Sequence, residues 1–199
     1  MSSSQGPYHH GNLRAALLDA AVRRIRESGI EGLSLRELAR ELGVSHSAPR
    51  RHFPDKQSLL DALAVVGLDR LGEQLDAALD HTDEDFARQL TAFATTYVRF
   101  ASNGPQLLEL MFLRKEDATN QELREANQRA FGAPVRLIEE ACKRGQIDDS
   151  DRDRVEMAIL AVLQGLATLV VGRMAGNRSI DQLVTGTVHA LIEGLRPRD

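Results

Sequence analysis

The chain has one cysteine, Cys142, and no tryptophan. A single thiol cannot form an internal disulfide, so packing must hold the fold, and a reducing cytoplasmic setting is expected. No N-terminal run has the form of a signal peptide, so export is not expected. The longest apolar stretch, Ala158 to Val171, is broken by Gln164 and is too short to cross a bilayer, so no membrane partner is expected. The alternation that marks strands is missing, and with it any phosphate loop leading from a strand into a helix. Cys142 stands among Glu139, Glu140, Lys143 and Arg144 with no histidine near in sequence. The carboxylates at 148, 149, 151 and 153 lack the glycine and terminal glutamate of a calcium loop, and read as a solvated turn. His9 and His10 have no further ligand beside them. Catalytic residues, metal sites and cofactors are therefore all expected to be none, and the chain is not expected to be an enzyme.

Acidic residues outnumber basic ones and the net charge is −4, but the charge is divided unevenly. Residues 1–60 hold nine Arg and Lys against six Asp and Glu, whereas residues 61–199 hold sixteen against twenty-three. This is the pattern of a basic module, suited to nucleic acid, on an acidic body.

The basic module centres on residues 33–56, LSLRELARELGVSHSAPRRHFPDK. Ser34 followed by Glu37 has the spacing of a capping box. Leu35, Leu38, Ala39 and Leu42 mark one apolar helical face. Gly43 can end that helix in the left-handed conformation, and Val44 can anchor the turn. Ser45 is placed to cap a second short helix, with Pro49 in its first turn or so. Pro54 ends this helix and Asp55 caps the next. Two short helices joined by a glycine turn can lay the second in a DNA major groove. The polar residues Ser34, Arg36, Ser45, His46, Ser47, Arg50, Arg51 and His52, with Lys56 beyond, are the candidate DNA contacts. From spacing alone, a plain helical hairpin remains open.

Gly43-Val44-Ser45, His52-Phe53-Pro54-Asp55-Lys56 and Leu59-Leu60 resemble the N-terminal domain of the TetR family of transcriptional regulators, over about residues 12–65. The opening Gly6-Pro7-Tyr8-His9-His10-Gly11-Asn12-Leu13 resembles a branch of that family with a Trp-His-Gly signature in its C-terminal half. Here the corresponding stretch reads Ala161-Val162-Leu163-Gln164-Gly165, so only the glycine matches and the effector type does not carry over. The resemblance implies that Lys56 contacts DNA. It also implies an aromatic residue, commonly Tyr, at position 50, where this chain has Arg50. Arginine there can clamp a phosphate or read a guanine edge. An N-terminal arm at residues 1–11 touching DNA is likewise implied.

Periodicity predicts further helices over about 13–28, 56–79, 86–102, 106–113, 121–143, 152–174 and 180–195. Asn12 and Gly29 are expected to cap the first. Arg23, Arg24 and Arg26 at its end read as a solvated face. A bend is possible in 56–79 at Gly67 or Gly72, and an interruption is expected at Gly132-Ala133-Pro134. The fold class is all-α, of about nine helices. It divides into a helix-turn-helix DNA-binding domain at 1–56 and an effector-binding and dimerisation domain at 57–199.

In the second domain Phe93, Tyr97, Met111, Phe112 and Gln164 are the candidate lining of an effector pocket. Ordinary core is the alternative for each of them. Leu166, Leu169, Leu183, Val184 and Leu191, on the last two long and strongly apolar helices, are the candidate subunit interface. A homodimer built on those helices as a four-helix bundle is what the family resemblance implies. The expected partners are double-stranded operator DNA, a small-molecule effector and a second copy of the chain. The sequence thus reads as a DNA-binding regulator, most simply an effector-released repressor. An all-helical adaptor that has lost DNA binding is the alternative, with Arg50 as its one hint.

Overall fold

The computed structural model describes residues 13–80, 85–115 and 120–195. Asn12, the arm at 1–11 and the charged break near 80–84 lie wholly or mostly outside the described residues. Among those residues there are eight α-helices and no strand: α1 (Leu13–Ser28), α2 (Leu35–Glu41), α3 (Lys56–Asp80), α4 (Phe86–Asn103), α5 (Pro105–Lys115), α6 (Gln121–Lys143), α7 (Arg152–Val171) and α8 (Ile180–Leu195). The chain forms two compact units, Met1–Ala64 and Val65–Asp199. The first turns of α3 bury Leu59, Leu60 and Leu63 in the first unit's core.

In the first unit, α1 buries Leu17, Leu18, Ala21, Val22 and Ile25, and α2 adds Leu38 and Ala39. Gly29 ends α1 at φ 72°, with its N–H donating to the Ile25 carbonyl at 2.9 Å. The arginines of α1 are not merely solvated. Arg23 meets Glu41 at 3.1 Å, and Arg24 meets Glu41 at 3.4 Å and Glu37 at 3.8 Å. Such exposed pairs are worth at most about 1 kcal/mol each, but they tie α2 to α1 and so aim the helix-turn-helix. Glu37 is spent on Arg24 and Arg40, and Ser34, although extended at φ −142°, makes no side-chain cap, so the expected capping box does not form.

The turn after α2 follows from Gly43. At φ 65° its N–H donates to the Arg40 carbonyl at 3.2 Å, and the Val44 N–H donates to the Ala39 carbonyl at 3.0 Å. These two bonds are the Schellman closure of a helix. Nothing lies within 4 Å of a Cβ placed on Gly43, so the backbone angle, not space, requires glycine.

The second helix of the motif differs from expectation. It is a turn over 46–48 that runs into a 3-10 helix, Pro49–Arg51. Pro49 has no N–H to give the Ser45 carbonyl, so the chain tightens. The Ala48 N–H takes that carbonyl at 3.0 Å, and the Arg51 N–H donates to Ala48 at 3.2 Å. Phe53, almost fully buried, seats the far end, with the Arg14 guanidinium 5.6 Å from its ring centre. Asp55 and Ser58 then open α3 reciprocally: the Ser58 N–H donates to Asp55 Oδ1 at 2.7 Å, and the Asp55 N–H to Ser58 Oγ at 3.3 Å.

The second unit is arranged about α4, which packs on α5, α6, α7 and α8. It buries Phe86, Leu90, Phe93, Ala94, Tyr97 and Val98. Asp85 caps α4 by accepting from the Arg88 N–H at 2.9 Å, and Asn120 caps α6 by accepting from Leu123 at 3.1 Å. Ser179 and Gln182 form a reciprocal capping pair at α8. Pro134 does not interrupt α6, which is continuous. Ala126, Ala130 and Ala133 before or beside it, and Leu137, Ile138 and Ala141 after it, are all buried, and this packing offsets the ~3 kcal/mol cost of an interior proline. Asp148 and Asp151, part of the acidic run, serve local structure: Asp148 accepts from the Ser150 N–H at 2.9 Å, and Asp151 pairs with Arg154 at 2.6 Å.

Candidate nucleic-acid interface and ligand cavity

The turn and α2 bring Ser34, Arg36, His46 and Arg50, with Leu35, together around one open cleft of about 480 Å3. His46 and Arg50 both line this cleft although no α-helix covers 46–50, and Ser34 and Arg36 reach it from the start of α2. Arg36, Ser45, His46, Ser47, Arg50, Arg51 and His52 are each at least partly exposed, so each can meet a solvated ligand. Ser45 and Ser47 hydroxyls lie 3.3 Å apart. Arg51 and His52 are not part of the cleft lining. Lys56 is half-buried, and its Nζ donates to the Glu31 carbonyl at 3.2 Å. This bond holds the ammonium beside the loop before α2 and leaves it further protons to donate.

In the second unit an apolar cavity of about 280 Å3 lies between α4, α5, α6 and α7. Phe93, Tyr97 and Phe112, three of the expected residues, line it. Sequence reasoning missed its α6 wall, Phe131, Pro134 and Ile138, and Ile159 of α7. The α6 spacing of three and four was the available signal, read instead as a helix interruption. Gln164 lines a second apolar cavity of about 320 Å3, shared with Phe112. Met111 lines neither cavity. It is buried in the core, where its Sδ would stand 2.8 Å from a Cβ added to Gly67.

The Tyr97 hydroxyl is buried and has no hydrogen-bond partner. Burial raises its pKa well above that of an ordinary phenol; the Gln164 side chain pulls the other way but does not reach hydrogen-bond geometry. Burial and the nearby Asp149 charge likewise raise the Cys142 thiol, away from the reactive thiolate.

Three of the expected interface residues face inward. Val184 is fully buried, and Leu166 and Leu183 are nearly so, within this one chain. They fill the core beside α4 and leave little surface for a partner. Leu191 is half-buried and Leu169 is 38% exposed. The apolar side chains that α7 does present are Met157, Leu160, Leu169 and Val171. By length and composition alone, the 23-residue helical stretch Asp149–Val171 is long and apolar enough to cross a membrane.

Residues 17–63 match the model of the bacterial regulatory proteins of the tetR family, and residues 90–191 match the tetracyclin repressor-like C-terminal domain. The chain belongs to the TetR family. Among its TetR-family relatives, the tetracycline repressor protein class D of Escherichia coli is 35% identical over 88 residues, 40% of this chain and 40% of that protein. The matched segment therefore spans well under two thirds of that relative's length. A protein of unknown function from Rhodococcus sp. RHA1 has 38% identity and a TM-score of 0.88, over 98% of this chain and 100% of that one. The TetR family transcriptional regulator PfmR from Thermus thermophilus has 19% identity and a TM-score of 0.68, over 91% and 99% of the two chains, and shares the fold. Both matched stretches, in the two units, are those of TetR-type transcriptional regulators.

Proposed function

We propose that this regulator acts as a cytoplasmic homodimeric repressor, released from its operator by a small molecule. The observation that carries the DNA half is the single cleft formed by Ser34, Arg36, His46 and Arg50 on the helix-turn-helix. Hydroxyl, guanidinium and imidazole groups on a solvated concave surface match base edges and phosphates. Ser45, Ser47, Arg51, His52 and Lys56 extend the contact to the flanking backbone. Residues 1–56 carry DNA recognition in this reading, and 57–199 carry effector binding and dimerisation.

The apolar cavities support the effector half. They lie in the second unit and have the largely apolar lining of small-molecule sites. The exposed apolar side chains of α7 support the dimer. Beside them, a Cβ added to Gly165 of α7 or to Gly186 or Gly194 of α8 would meet nothing within 4 Å, which leaves room for close helix approach. A subunit face of this kind also accounts for the apolar length of α7 in a DNA-binding protein. A dimer presents two recognition segments about 34–36 Å apart, one DNA turn. An effector that binds better to a different spacing shifts the population away from DNA. No catalytic role is proposed. A mobility-shift assay on DNA upstream of its own coding region tests the reading. Binding poorly competed by random DNA, and lost on adding a molecule that stabilises the protein, is expected. Equal affinity for random and upstream DNA would defeat it.

A further inference from the structure

The two apolar cavities meet at one side chain. Phe112 lines both. Tyr97 lines the first and Gln164 the second, and the phenol feels the Gln164 amide. The wall between the cavities is therefore Phe112 together with this polar pair. The Tyr97 hydroxyl within it is enclosed and lacks a hydrogen bond, a state that buried polar groups rarely tolerate. The other orphaned atom, Asn127 Oδ1, belongs to neither lining.

The charges on the linings narrow the ligand further. Among the described residues, neither lining includes a lysine or arginine. An anionic ligand would lose its hydration with no cation to replace it. Each lining has one glutamate, Glu156 in the first and Glu109 in the second. Glu156 is already held by Arg152 Nε at 3.2 Å, and Arg152 also holds Glu139 at 2.6 Å. An ammonium ligand would have to compete with that guanidinium. What the site lacks is a neutral hydrogen-bonding partner for a hydroxyl set between two apolar lobes.

We infer that the effector is an uncharged, elongated apolar molecule with a hydrogen-bond acceptor part-way along it, which displaces Phe112, takes the Tyr97 hydroxyl as its donor and lays one apolar arm in each cavity. This rests on the effector-released reading above and names its ligand class. Phe112 moving aside joins the lobes and uncovers the hydroxyl. The Gln164 amide is then the second polar contact for the same acceptor.

The test is displacement of the neutral fluorophore N-phenyl-naphthylamine from the full-length protein. Dibutyl ketone, its one-armed isomer methyl heptyl ketone, nonane, nonanoate and nonylammonium serve as competitors. Dibutyl ketone is expected to bind about 10-fold more tightly than either ion, a gap of ~1.4 kcal/mol, and more tightly than its isomer. Tyr97→Phe, which keeps the ring, should bring dibutyl ketone to the level of nonane and leave nonane unchanged. An ion that binds as well as the ketone, an isomer that binds equally, or a ketone indifferent to Tyr97→Phe overturns the assignment. So does a wild-type protein from which the ketone displaces nothing. Ketone binding that depends on Tyr97 but leaves operator affinity unchanged upholds the site and defeats the release mechanism. Operator release by a charged molecule alone does the reverse.

Discussion

Gly72 of α3 lies against the backbone of Ala130 of α6: a Cβ on Gly72 would stand 3.1 Å from the Ala130 Cα. Two ion pairs flank this crossing, Asp69 with Arg129 at 2.7 Å and Asp76 with Arg136 at 3.3 Å. The same α6 carries Phe131, Pro134 and Ile138 of the cavity wall. The glycine is thus where α3 closely approaches a helix that a ligand would touch.

Alanine at position 72 would ordinarily strengthen an exposed helix by up to about 1 kcal/mol. Here the obstacle is backbone, which cannot swing aside, and overpacking costs about 1–3 kcal/mol. Gly72→Ala is expected to lower the unfolding midpoint, and Gly72→Val to lower it further. A more stable Gly72→Ala protein in a thermal melt would show that the helices part without cost.

The start of α3 depends on pH. The Ser58 N–H donates to the Asp55 carboxylate at 2.7 Å and, with the Ser58 hydroxyl beside it, holds the pKa below the ordinary value of 3.8. Because the folded pKa is depressed, this contribution is present at neutral pH. It is lost as pH falls below 3.8 through the folded value. Asp55→Asn should be less stable than wild type at neutral pH, with the gap closing in strong acid. Denaturant midpoints measured at several pH values check this; a gap that widens in acid would reverse the sign.

Operator affinity should fall steeply with salt. With roughly 6–10 phosphates contacted per dimer, log K against log salt should slope at about −0.9 per contact. Lys56→Ala should weaken all DNA about equally. Arg50→Ala, if Arg50 clamps a phosphate, should do the same and cut the slope by about 1 per subunit. If Arg50 reads guanine, the loss is about 1–3 kcal/mol at one operator position, with random DNA little affected. An Arg50→Ala protein equal to wild type on both DNAs would leave the residue with neither role.

Burial separates two kinds of leucine on α7. Leu166 is 3% exposed and Leu169 is 38% exposed. Leu166→Ala should cost about 2–5 kcal/mol of stability by opening a cavity. Leu169→Glu should leave the fold intact and shift sedimentation from twice the chain mass of 21.9 kDa towards the monomer. Dimers undisturbed by Leu169→Glu would move the subunit face elsewhere.

Local chemistry made much of this protein legible from its sequence. Gly43 stops α2 because only a residue without Cβ takes φ 65° at little cost, and Asp55 opens α3 because its carboxylate suits bare N–H groups. Both effects act over a few residues. Other features depended on neighbours distant in the chain. Gly67 and Gly72 look like weak points of a helix, yet they are close approaches, to Met111 and to Ala130. Pro134 looks like a break, yet packing on both sides carries α6 through it. Ser34 and Glu37 have capping-box spacing, yet arginines claim Glu37. Apolar periodicity shows that a helix has a face to bury but not what covers it. On the strongly apolar α7 and α8, only the position of α4 decided that Leu166, Leu183 and Val184 turn inward while Leu169 faces out.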